Sequence, residues 1–163
     1  MPTVRGSSCP RWWPMPDNQF YTQQAATAKA TVVKTTLALS KLRLFKSGWT
    51  PDQFTTKEIL ESHECDFDGY TSGGYTLTAW TGPAPNAGGG AIITSPLVYV
   101  SNNTPSDPPV GNDCGGFWIE TEAGAVWLVG VFDPIRPLQV VGQGFPWVQQ
   151  IIEAKNAPVD LGA

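Results

Sequence analysis

"KLRLFKSGWTPDQFTTKEIL", residues 41 to 60, decides how the rest of the chain is read. Leu42 and Leu44 alternate with Lys41, Arg43 and Phe45, the period of two that a half-buried strand requires. Pro51 ends that strand. Thr55 and Glu58 then have the spacing of a capping box, in which each side chain satisfies the other residue's backbone N–H, and they predict a short helix over Lys57 to Glu61. The stretch is thus strand, turn, helix, and its clearest signals are architectural.

Outward from it the strand pattern repeats. Tyr75 to Thr81, Ala91 to Ser101, Phe117 to Glu122, Ala125 to Phe132 and Phe145 to Ile152 are further apolar, largely alternating segments. They are separated by "TGPAPNAGGG", "NNTPSDPPVGNDCGG", "EAG" and "DPIRP". Pro96 inside the second of these segments predicts an edge strand or a bulge. "AVWLVGVF", residues 125 to 132, is apolar on both faces, so it is either central in the core or covered by another subunit. The pattern predicts an all-β fold, an antiparallel β-sandwich of jelly-roll type, with a small closed barrel as the alternative. Leu42, Leu44, Leu77, Ile93, Phe117, Ile119, Trp127, Val129 and Val131 are the expected core.

The 163 residues suit one domain plus an arm. Seventeen Gly, fifteen Pro and only 15% charged residues favour short strands and tight turns over a helical bundle. Residues 1 to about 22 read as an extended arm, because "PRWWPMP" cannot sustain a helix, yet Trp12, Trp13, Phe20 and Tyr21 make it too apolar for an ordinary disordered tail. "TQQAATAKATVV" predicts a helix over roughly 22 to 33. The expected organisation is an arm with a short helix over 1–40, a β-sandwich over 41–155 and a tail over 156–163.

Net charge is −4 but uneven: residues 1 to 50 carry seven Lys/Arg against Asp17, whereas the remainder carries three against thirteen acids. The cations are scattered rather than clustered, so nucleic-acid binding is not expected. Cys9, Cys65 and Cys114 are odd in number and far apart, giving neither a disulfide framework nor a zinc site. The N-terminus lacks an apolar signal region and no long apolar run suits a membrane span, so folding in a reducing cytosol is expected, and the "NNT" sequon at Asn102 reads as chance.

Candidate chemistry is sparse. His63 is the one histidine, and no nucleophile signature accompanies it or Cys65, so an exposed loop histidine is the simpler reading. Glu64, Asp66, Asp68 and Gly69 fail as a calcium loop, since Tyr75 stands where the bidentate Glu belongs. Glu61, Glu64, Asp66 and Asp68 remain a candidate hard-cation site beside the reading as a solvated turn. Glu120 and Glu122, about 7 Å apart on one strand face, have the spacing of a glycosidase pair, but a solvent-facing row explains them equally. "GQGF" at Gly142 to Phe145 lacks the third glycine and following helix of a phosphate cradle. The chain is read as a non-enzyme with no cofactor or metal.

"KLRLFKSGWTP", "CDFDGYTSGGYTLTAW" and "AIITSPLVYV" together resemble small structural proteins of tailed bacteriophages that share Lys-Leu-Arg-Leu-Phe, Thr-Pro, Asp-Phe-x-Gly-Tyr and Leu-Thr-x-Trp in that order. The similarity spans about Lys41 to Pro137. It implies a capsid decoration or cement protein, a homotrimer on the virion exterior that binds the major capsid protein. Arg11, Trp12, Trp13, Phe20 and Tyr21 lie outside the resemblance, and their composition suits partner binding. A tail or baseplate component, or a carbohydrate binder using Trp49, Trp80 or Trp118 as sugar platforms, is the alternative.

Overall fold

The computed structural model describes residues 22–87, 90–102, 113–138 and 142–153. Among these residues two helices and nine strands run in the order α1 (Gln23–Thr36), β1 (Ser40–Lys46), α2 (Lys57–Ser62), β2 (Tyr75–Leu77), β3 (Thr81–Pro85), β4 (Ala91–Thr94), β5 (Val98–Ser101), β6 (Asp113–Glu120), β7 (Val126–Pro137), β8 (Gly144–Trp147) and β9 (Gln150–Glu153). All strand pairings are antiparallel. The fold is mostly strand, as the alternating segments predict.

One sheet has the order β2-β1-β6-β7, with β1 and β6 inside it. The other strands form β3-β4-β9 and the pair β5-β8. These two smaller sheets are continuous at one point, where the Ser95 amide donates to Gln149 O at 2.9 Å and the Gln149 amide donates to Ser95 Oγ at 2.9 Å. Pro96 has no N–H to give, so the expected long strand over 91–101 breaks there into β4 and β5. Phe145 to Ile152 breaks opposite it into β8 and β9.

Leu42 and Leu44 of β1, Leu77, Phe117 and Ile119 meet Ala91, Ile93, Val100 and Trp147 from the smaller sheets in one buried core. Ala26 and Ala30 of α1 join it, since alanines there let the helix approach β3, β4 and β9 closely. Thr22 caps α1 by accepting from the Ala25 amide. The helix runs three residues beyond the expected end at 33, because Val33 packs on the core and tertiary contact outweighs its weak propensity.

Several expectations are corrected. β1 is not half-buried: Arg43 and Phe45 are as enclosed as Leu42 and Leu44, because Leu60 of α2, Trp49 and Trp118 pack on Phe45 while Glu61, Glu64 and Glu120 close around Arg43. The α2 cap is Thr56 rather than Thr55, whose hydroxyl bonds Asp52 instead. Trp127, Val129 and Val131 are only partly covered, Val131 being 54% exposed, because β7 lies at the sheet edge.

Candidate functional site

The densest polar constellation is built on Arg43 at the middle of β1. Its side chain is 9% exposed and stacks over the Trp118 ring at 4.8 Å. The guanidinium forks onto Glu64, Nε to Oε1 at 3.1 Å and Nη2 to Oε2 at 2.6 Å, and Nη1 donates to Glu61 at 2.8 Å and to Glu120 at 2.9 Å. Lys57 donates to the other Glu120 oxygen at 2.8 Å and to Gly124 O at 3.2 Å. Glu64 also accepts from the Tyr70 hydroxyl at 2.7 Å and the Gly73 amide at 3.1 Å.

Local structure explains the convergence. Glu61 lies on α2 and Glu64 just beyond its end, so the chain reversal after the helix brings both carboxylates back over β1. Glu120 ends β6, and Lys57 opens α2 with a stem long enough to reach it. Lys41 pairs with Glu120 in the β1–β6 register, which sets that carboxylate two residues along from Arg43 on the face α2 covers.

Two cations and three carboxylates thus share one site. Burial alone would lift the Glu64 carboxyl, but Arg43, Tyr70 and Gly73 outweigh it and hold it below the ordinary carboxylate range. Glu120 behaves alike: burial pushes it up, and Lys57 and Arg43 outweigh that and bring it below its ordinary value. The bond to Glu120 raises Lys57 above the usual lysine value. Tyr70 is raised by burial and by its bond to Glu64. A general acid needs a carboxyl held up toward neutrality, and these are held down.

The proposed hard-cation set does not assemble. Arg43 occupies Glu61 and Glu64, Asp66 pairs with Lys46 at 2.7 Å, and among the described residues no group of three or more His, Cys, Asp or Glu is placed to hold a metal ion. Glu120 and Glu122 do not share a strand face: β6 ends at Glu120, which is buried against Arg43 and Lys57, and Glu122 is exposed in the turn that follows. His63 is not a free loop residue either, because it caps α2, stacks on Trp49 at 4.3 Å and places Nδ1 2.9 Å from Ile59 O. Cys65 packs against Cys114, and that neighbour together with burial pushes its thiol up.

Trp80 and Trp118 are buried and Trp49 is covered by Phe45 and His63, so none of the three stands free as a sugar platform. Asn102 is also buried, donating through Nδ2 to Leu138 O at 2.8 Å, so the folded chain withholds that amide from modification. Arg11, Trp12, Trp13, Phe20 and Tyr21 lie outside the described residues.

The sequence reading passed over the Arg43 cluster because it put Arg43 on an exposed face. The available signal was an arginine inside "LRLF" followed by the acidic string from Glu58 to Asp68: a cation enclosed between leucines needs carboxylates, and that string supplies Glu61 and Glu64. No family, curated protein or solved structure matches the chain. Among the described residues no helix is long and apolar enough to cross a membrane.

Proposed function

We propose that the chain is a structural protein of a tailed-bacteriophage particle, a decoration or cement protein that binds the outer surface of the major capsid shell and strengthens it. One observation carries the reading: the landmarks that give the chain its resemblance to phage structural proteins are architectural contacts. Lys-Leu-Arg-Leu-Phe is β1, the strand that holds both the core and the ion network. Asp-Phe-x-Gly-Tyr ends in Tyr70, whose hydroxyl donates to Glu64 and accepts from the Leu44 amide at 3.2 Å. Leu-Thr-x-Trp supplies the buried Leu77 and Trp80, the latter donating to Ser40 Oγ at 3.3 Å. A pattern spent on architecture suits a protein whose work is to hold a shape against a shell.

In this reading the sheet β2-β1-β6-β7 and the joined strands β3, β4–β5 and β9–β8 are the two halves of a jelly-roll sandwich. Arg11, Trp12 and Trp13 of the arm anchor the body to its neighbour, and prolines limit the entropy lost on ordering. The test is co-sedimentation of the full chain with shells that lack it, beside imaging of labelled protein on intact particles. Saturable binding to shells and label over the head are expected. Label on the tail, or no binding to shells, would sink the proposal. Trp12→Ala with Trp13→Ala should release the protein from shells and leave its melting temperature unchanged.

A further inference from the structure

β7 ends the order β2-β1-β6-β7, so β6 takes the hydrogen bonds of one side only. Among the described residues no strand pairs with the other side. Edge strands of soluble proteins are normally short, or broken by proline and charge, because an open row of N–H and C=O groups templates further pairing. The opposite edge follows that rule, since β2 has three residues, and β3 carries Pro83 and Pro85. β7 follows it only past Phe132, where Asp133, Pro134 and Pro137 stand; Val126 to Phe132 runs seven residues with neither charge nor proline, all part-covered except the exposed Val131.

We propose that this edge pairs antiparallel with β7 of a second copy about a two-fold axis at Val129, joining two four-stranded sheets into one of eight. The self-pairing is favoured by the side chains. In that register Trp127 meets Val131, Val126 meets Phe132 and Leu128 meets Gly130, so each larger side chain faces a smaller or β-branched one. Charge at the flanks agrees. Glu122, exposed, precedes the strand and Arg136, exposed, lies near its end. Antiparallel pairing sets Glu122 of one copy level with Arg136 of the other at both ends, and Asp133 level with Ala125, whereas parallel pairing sets like against like. One free edge is used once, so the assembly closes at two and does not propagate. This stoichiometry differs from the homotrimer that the phage resemblance implies, and it rests on β7 alone, independent of shell binding.

The experiment is light scattering of the full chain across a concentration series, with hydrogen exchange of the 126–132 amides. A mass of twice 17.5 kDa is expected, with the amides of that segment that face away from β6 protected as well as those that face it. Val131→Lys places a charge at an exposed position of the ladder and should weaken pairing by about a hundredfold, with the melting behaviour of the monomer retained. Should that variant fail to fold, the exposed flanks give a second test. Glu122→Lys should weaken the pair severalfold at low salt, and Glu122→Lys with Arg136→Glu should restore it. A mass of one chain or of three overturns the inference. So does a pair whose 126–132 amides exchange as fast as those of a dissociated variant, because its contact then lies elsewhere.

Discussion

Arg43 satisfies three carboxylates from two stretches of chain, and its removal leaves Glu64 and Glu120 without it in a covered site, while Glu61 is 40% exposed. Breaking a buried network on one side typically costs about 3–5 kcal/mol, because the partners are left uncompensated. Arg43→Met should therefore lower the urea midpoint sharply with an unchanged slope. Arg43→Lys should recover little of the loss, since a lysine cannot fork onto both Glu64 oxygens and meet Glu61 and Glu120 at once. A smaller group is equally constrained at Gly116, where a Cβ would collide with the Gly130 carbonyl and the Phe45 ring. Gly116→Ala is expected to cost as much as an overpacked core, about 1–3 kcal/mol by the same measurement.

Among elements, the join between β4–β5 and β9–β8 rests on two hydrogen bonds, one of them to a hydroxyl. Ser95 Oγ accepts from the Gln149 amide and donates to Pro96 O at 3.0 Å, carrying the pairing past a residue that cannot donate. Ser95→Ala should cost about 1–2 kcal/mol by leaving a part-buried amide without its acceptor. Amides of β5 and β8 should then exchange faster than those of β4 and β9, which hydrogen-exchange mass spectrometry resolves; uniform acceleration would show that the join is not local. A disturbance at Pro96 was legible in the sequence as an edge or a bulge, as were both helices and most strand positions, since proline and period-two alternation act locally; β3 and the end of β7 were not, because they fall in "TGPAPNAGGG" and "DPIRP", whose prolines read as breaks. That β7 is an edge strand was not legible. "AVWLVGVF" reads the same whether a strand or solvent lies beside it, because hydropathy records faces and not sheet order. The ion network was hidden for a related reason: its members lie up to 77 residues apart, beyond any local pattern.

For the molecule as a whole, the same network sets the response to acid. Glu64 and Glu120 titrate below their ordinary values in the folded chain, so the unfolded chain binds more protons once pH falls into the carboxylate range. The stability they contribute is fully present above the unfolded value, about 4.3, and is lost as pH falls through the lower folded values. Melting temperature should be flat in their contribution from neutrality to about pH 5 and then drop steeply. In Arg43→Met that acid limb should be shallower, because without the cation the two carboxyls are no longer held down. A wild-type limb as shallow as the variant's would remove these carboxylates as its cause.

Cys65 and Cys114 give this fold a clock. Both are buried, Cys65 next to Leu44 on one side of β1 and Cys114 next to Lys46 on the other, so a thiol reagent reaches either only after that part of the sheet has parted. With the Cys65 thiol also held in its protonated, unreactive form, modification of these two positions in the folded sheet is negligible, and every label found on a peptide carrying Cys65 or Cys114, as distinct from Cys9, records an excursion. Mass spectra taken at intervals would then count openings around β1 directly, without denaturant. Raising the reagent concentration until the rate stops increasing would convert that count into the frequency with which the sheet opens.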